Sequence, residues 1–119
     1  MHIDIPETKA KRYRARKTLG DRVREALLLV AGSEANLLTH EETPWASITF
    51  AGTRHELTVE FNGIAACKAG ERFIATLPDH EFTIPNMLVA DATISEVESS
   101  YTPEPRMVVT ATLLLLEEA

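Results

Sequence analysis

The chain has 119 residues, of which 45% are hydrophobic and 25% charged, with one cysteine and a net charge of −6. Those values describe one ordinary globular domain that can bury roughly two thirds of its unfolded surface, and the single Cys67 excludes an intrachain disulfide and fits a reducing compartment. No apolar run approaches the roughly 20 residues of a membrane span, and the six-residue run 26–31 lies too close to Asp21 and Glu25 for the core of a signal peptide, so the expectation is a cytoplasmic protein with no membrane partner.

Charge is spread unevenly. Residues 1–24 carry eight of the twelve Lys and Arg against three carboxylates, a net +5. Residues 25–119 carry four basic and fifteen acidic side chains, a net −11. The chain therefore divides into a basic N-terminal arm, 1–17, and a single α+β domain, 18–119. Within the arm, residues 9–17 hold six positive charges around one aromatic, Tyr13. Their mutual repulsion predicts a frayed helix or an arm awaiting an acidic partner.

A helix is expected from Thr18, whose hydroxyl can cap a free N–H while Asp21 favours the positive end of the dipole. Leu19, Val23, Leu27 and Val30 follow at helical spacing, and Gly32-Ser33 ends the run. Leu28 and Leu29 widen the apolar stripe, which predicts burial on more than one side, as by a second subunit. Residues 33–44 are polar and read as a connection. Trp45, at its end, reads as a lid on the core.

Ala46, Ile48 and Phe50 then alternate with Ser47 and Thr49, residues 51–53 read as a turn, and Leu57, Val59 and Phe61 alternate with polar residues. That is a hairpin with one buried and one wetted face. Asn62-Gly63 opens a second helix in which Cys67, Gly70, Ile74 and Leu77 share a face beside Phe73, and Pro78 stops it. A glycine inside a helix costs about 1 kcal/mol relative to alanine, so Gly70 points to a close helix–sheet contact. A third strand over 87–97 places Leu88, Ala90, Ala92 and Ile94 on one face and Val89, Asp91, Thr93 and Ser95 on the other. A loop over 99–105 precedes a last strand whose core face is Met107, Val109, Ala111, Leu113 and Leu115.

The order is α-β-β-α-β-β, and the economical fold is a four-stranded antiparallel sheet with two helices packed on one face. Its other face would carry Thr, Ser and Glu together with Val89, Val108, Leu114 and Leu116, an apolar stripe that invites another subunit.

No catalytic or cofactor motif stands out, and no cofactor is expected. Three histidines precede a glutamate, at 40–41, 55–56 and 80–81. Adjacent strand residues point to opposite faces, so one such pair cannot offer both side chains to one ion, and no metal site is expected. Asp91 sits in an otherwise apolar strand, where a buried carboxyl would have a raised pKa. Beside Thr93 and Ser95 it reads instead as a residue of the wetted face. A meeting of His55 with Asp91 would supply an acid–base pair. Cys67, near a helix N-terminus and beside Lys68, is the candidate nucleophile, although a cysteine on an apolar stripe is more simply a small core residue.

Three functions are consistent with these features. The first is a binding or interaction module, homodimeric, in which Lys9, Arg12, Tyr13, Arg16 and Lys17 meet the acidic surface of another copy. The second is a nucleic-acid-associated protein using residues 9–24, with phosphate contacts from the basic side chains and stacking by Tyr13. The third is a small enzyme or ligand carrier built on His55, Asp91 and neighbouring glutamates. The composition resembles that of compact bacterial α+β proteins, and the homodimer is the reading the charge layout favours.

Overall fold

The computed structural model describes residues 16–118. Helix α1 (Leu19–Ala31) leads into strands β1 (Ala35–Ala46) and β2 (Ala51–Asn62), and helix α2 (Ile64–Thr76) runs into a short 3₁₀ turn at Leu77–Asp79. Strands β3 (Met87–Ser100) and β4 (Arg106–Glu117) complete the chain. The four strands form one antiparallel sheet in the order β1-β2-β4-β3. The α+β class and the α-β-β-α-β-β order are those expected from the sequence. No helix among the described residues is long and apolar enough to cross a membrane.

The start of α1 is fixed by a reciprocal cap. The Asp21 N–H donates to the Thr18 hydroxyl at 3.1 Å, and the Thr18 N–H donates to the Asp21 carboxylate at 3.1 Å. Aspartate thus completes the capping box where glutamate is usual. The helix buries Val23, Leu27 and Ala31, whereas Leu29 is 84% exposed. The wide apolar stripe is therefore not covered within the chain.

Both helices lie on one face of the sheet and share a single core with its inward residues. On β2 these are Leu57, Val59 and Phe61, and on β4 they are the five predicted side chains, Met107 to Leu115, all buried. Helix α2 packs on β2 and β4 through Ala66, Ala69, Gly70 and Phe73. A Cβ on Gly70 would lie 2.8 Å from Met107 Sδ and 2.9 Å from the Phe61 ring. The inferred close contact is present, and the missing side chain is what allows it.

Three sequence expectations are corrected. Residues 35–46 are not a connection but a full strand paired with β2 from Ala35↔Phe61 to Ala46↔Ala51. Its polarity follows from its place at the sheet edge, with one face in water, and a register shift between Leu37 and Thr39 breaks its period of two. The turn of the first hairpin falls at 47–50 rather than 51–53. Ser47 makes it, its Oγ accepting from the Phe50 N–H at 3.0 Å and its own N–H donating to the Phe50 carbonyl at 2.8 Å. Ile48 and Phe50, expected inside, are thereby carried to the tip, where they are 106% and 51% exposed.

The third correction concerns β3. A register shift between Val89 and Asp91 exchanges its faces, so Met87 and Val89 pack on the core before the shift and Ala92 and Ile94 after it. Leu88 consequently points out. The apolar stripe expected along the open face loses Val89, while Val108 and Leu114 remain half-buried there. Of the exposed apolar side chains, Ile48, Phe50 and Leu88 lie toward one end of the sheet, whereas Ile64, Val97 and Tyr101 lie toward the other. Register pairs Trp45 with Gly52, Gly52 with Leu116 and Leu116 with Leu88 in one row across all four strands, beside the 47–50 turn.

Candidate functional site

Where the N-terminal end of α1 crosses β1 and β2, polar groups replace the apolar core. His40 and Glu42, two residues apart on β1, point to the helix side, and Glu42 is paired directly with His55 of β2. His55 is fully buried. One ring nitrogen from each histidine and a carboxylate oxygen of Glu42 all lie within 4.8 Å of one another. Gly20 makes room for them, since a Cβ there would be 2.8 Å from Glu42 Oε2 and 3.7 Å from His40 Cε1.

The hydrogen bonds of the cluster have one consistent direction. Arg24 Nη1 is 2.9 Å from His40 Nδ1, and a guanidinium can only donate, so Nδ1 is the acceptor. A neutral His40 then carries its proton on Nε2, which donates to His55 Nδ1 at 2.9 Å. His55 in turn carries its proton on Nε2 and donates to Thr53 Oγ1 at 2.7 Å. Arg24 is held at its other nitrogen by the Asp21 carboxylate, the same group that closes the helix cap. The run Asp21–Arg24–His40–His55–Thr53 thus connects the start of α1 to the interior of the sheet.

This arrangement keeps both imidazoles neutral. Burial holds the His40 and His55 pKa values below the usual histidine value; Glu42 opposes the shift in both, while Arg24 at His40 and His40 at His55 add to it. Protonating either ring would also require an existing hydrogen bond to break. Asp21 is held below the usual carboxylate range by the Thr18 N–H first, then by Arg24 and the Thr18 hydroxyl.

The other candidate residues do not join this cluster. Asp91 is exposed on β3, opposite Leu114, on the face away from the helices, and β4 separates its strand from that of His55. The pair considered from sequence does not form, because the register shift and strand order place the two side chains on different faces. Asp91 does lie on the wetted face. Cys67 is half-buried in α2 with its Sγ 3.6 Å from the Phe61 carbonyl, and it packs against the core. His80 stands exposed against the edge of the Phe82 ring.

Of the arm residues singled out, Lys9, Arg12 and Tyr13 lie outside the described residues. Arg16 and Lys17 are exposed, and Lys17 Nζ pairs with Glu25 of the same chain at 2.9 Å. Sequence reasoning named His55 but missed its partners. The signal was the alternate spacing His40-x-Glu42, which has meaning only once residues 35–46 are recognised as a strand.

No protein-family model matches the chain, and no curated protein is similar to it in sequence. Among solved structures it is similar to a chain from the virion of a native gene transfer agent particle, with a TM-score of 0.53 and 13% identity. The similarity covers 84% of this chain and 92% of that one. It extends over nearly the whole of both and establishes a shared fold.

Proposed function

We propose that the chain is a structural subunit that acts by associating with copies of itself, in the manner of a particle component rather than of an enzyme. The observation that carries this reading is the apolar end of the sheet. Ile48, Phe50 and Leu88 are each more than half exposed there, beside the half-buried Trp45. Single exposed apolar residues are ordinary, but several at one end of a sheet mark a contact surface. The virion chain of the same fold supports the choice of an assembly over a catalyst.

Magnitudes decide how much of the contact this end can supply. At about 200 Å² for a fully exposed large side chain, one fully exposed and two half-exposed residues offer about 400 Å², about half of the roughly 800 Å² per partner of a stable interface. The basic arm adds the remainder in this proposal: Lys9, Arg12, Tyr13, Arg16 and Lys17 of one copy lie on the acidic body of the next. Steering by opposite charges favours that pairing, whereas the body's net −11 repels a polyanion. The free chain, before assembly, is cytoplasmic in this reading.

Light scattering after size exclusion tests it, on the full chain, on a chain beginning at Thr18, and on Ile48→Ser/Phe50→Ser/Leu88→Ser. The full chain is expected to exceed the monomer mass, the shortened chain to dissociate more readily and with less dependence on salt, and the triple variant to be monomeric. Identical masses for all three would reject the assignment. Nucleic acid co-purifying with the full chain and lost with the arm would favour the nucleic-acid reading instead.

A further inference from the structure

We propose that His40, Glu42 and His55 form a binding site for a divalent transition metal of the zinc class, which competes with Arg24 for His40. Two imidazole nitrogens and one carboxylate oxygen are a usual donor set for zinc, cobalt or iron, with further positions left to water. The residues come from neighbouring strands held in register, Glu42 opposite His55, so the backbone fixes their spacing.

The separation of the two imidazole nitrogens is close to that required, and a Glu42 oxygen lies within 4.8 Å of a ring nitrogen of each histidine. His40 Nε2 and His55 Nδ1 are 2.9 Å apart. Two nitrogens bound tetrahedrally at about 2.0–2.1 Å from zinc are separated by about 3.3 Å, so the rings need to part by a few tenths of an ångström. His55 already has the tautomer a ligand needs, with Nδ1 bare and Nε2–H fixed by Thr53 at 2.7 Å. Such a second hydrogen bond is what orients a metal-bound histidine. Gly20 leaves the space in which the Glu42 carboxylate sits.

His40 has the opposite tautomer, and Arg24 is the cause. Binding through Nε2 moves the His40 proton from Nε2 to Nδ1, where the Arg24 N–H now donates. The guanidinium must therefore withdraw from His40, and it can do so because its side chain is 35% exposed and remains paired with Asp21. Neither imidazole loses a proton overall, and Glu42 supplies the negative charge. Arg24 acts as a brake on the site and not as a ligand.

The test is titration of the metal-free full chain with Co(II), read by its visible ligand-field absorption, with Zn(II) in competition followed calorimetrically. One equivalent is expected to bind, with Glu42→Gln weakening it about ten-fold or more. Arg24→Met is expected to tighten it about ten-fold, the scale of effect of groups around the ligands. His40→Gln/Glu42→Gln retains His2, His55 and His80 and so measures background binding. Glu42 is exposed, so Glu42→Gln alone decides the matter if the double variant does not fold. Binding no tighter in the wild type than in Glu42→Gln, or weaker binding in Arg24→Met, would overturn the proposal. Oligomeric state does not enter the readout, so this result is independent of the assembly proposal.

Discussion

The two αββ halves seat their helices on the sheet by different means. In the second half, α2 presses on β2 and β4 through small residues and Phe73, and Gly70 lets the helix backbone approach Met107 and Phe61. In the first half, α1 has an apolar C-terminal part, but its N-terminal end rests on a connected set of charged and imidazole groups. The second arrangement gives stability that is insensitive to pH, since dispersion and apolar burial involve no proton. The first makes the fit of α1 depend on protonation and on the presence of one arginine.

Breaking the apolar half should have the larger effect. Phe73 is fully buried with its ring centroid 6.0 Å from that of Phe61, and Phe73→Ala is expected to cost about 3–5 kcal/mol, measured by chemical denaturation. Gly70→Val should follow at about 1–3 kcal/mol, the range for overpacking, because the added atoms meet Met107 Sδ and the ring of Phe61, both buried.

The polar half should respond to acid. Its histidines have folded pKa values below the unfolded value of 6.5, so the unfolded chain binds more protons than the folded one as pH falls through that value. The stability held by keeping them neutral is present above pH 6.5 and is lost progressively below it, more through the fully buried His55 than through the partly exposed His40. Denaturation midpoints taken from pH 7.5 to 5 should show this decline, and His55→Gln should reduce it. An equal slope in wild type and variant would remove the distinction between the halves. A smaller effect is expected of Gly20→Ala, whose Cβ must displace the Glu42 carboxylate and the tip of Arg24. Both can move, so the loss should stay near 1 kcal/mol, with a shift in the His40 imidazole resonances by NMR.

The same contrast explains what was legible in the sequence. Periodicity located α2, β4 and the inward face of β2 because apolar burial leaves a regular pattern. It failed at β1, where His40 and Glu42 occupy inward positions that apolar residues usually hold, and at β3, where a bulge at Ala90 exchanges the faces. The Gly70 contact was inferable because a helix tolerates glycine at a cost. The Gly20 contact was not, because its neighbours come from a strand that the pattern concealed. Residues 47–50 misled for a different reason, as the alternation of Ile48 and Phe50 continues a strand-like pattern into an exposed turn.

Self-association is the central claim, and sedimentation velocity of the full chain across a wide range of concentration tests it most directly. The expected result is a sedimentation coefficient that rises with concentration and falls back at high salt, as copies joined through the apolar end and the basic arm come apart. A single species at the 13.2 kDa of the monomer, at every concentration and at both salts, would contradict it.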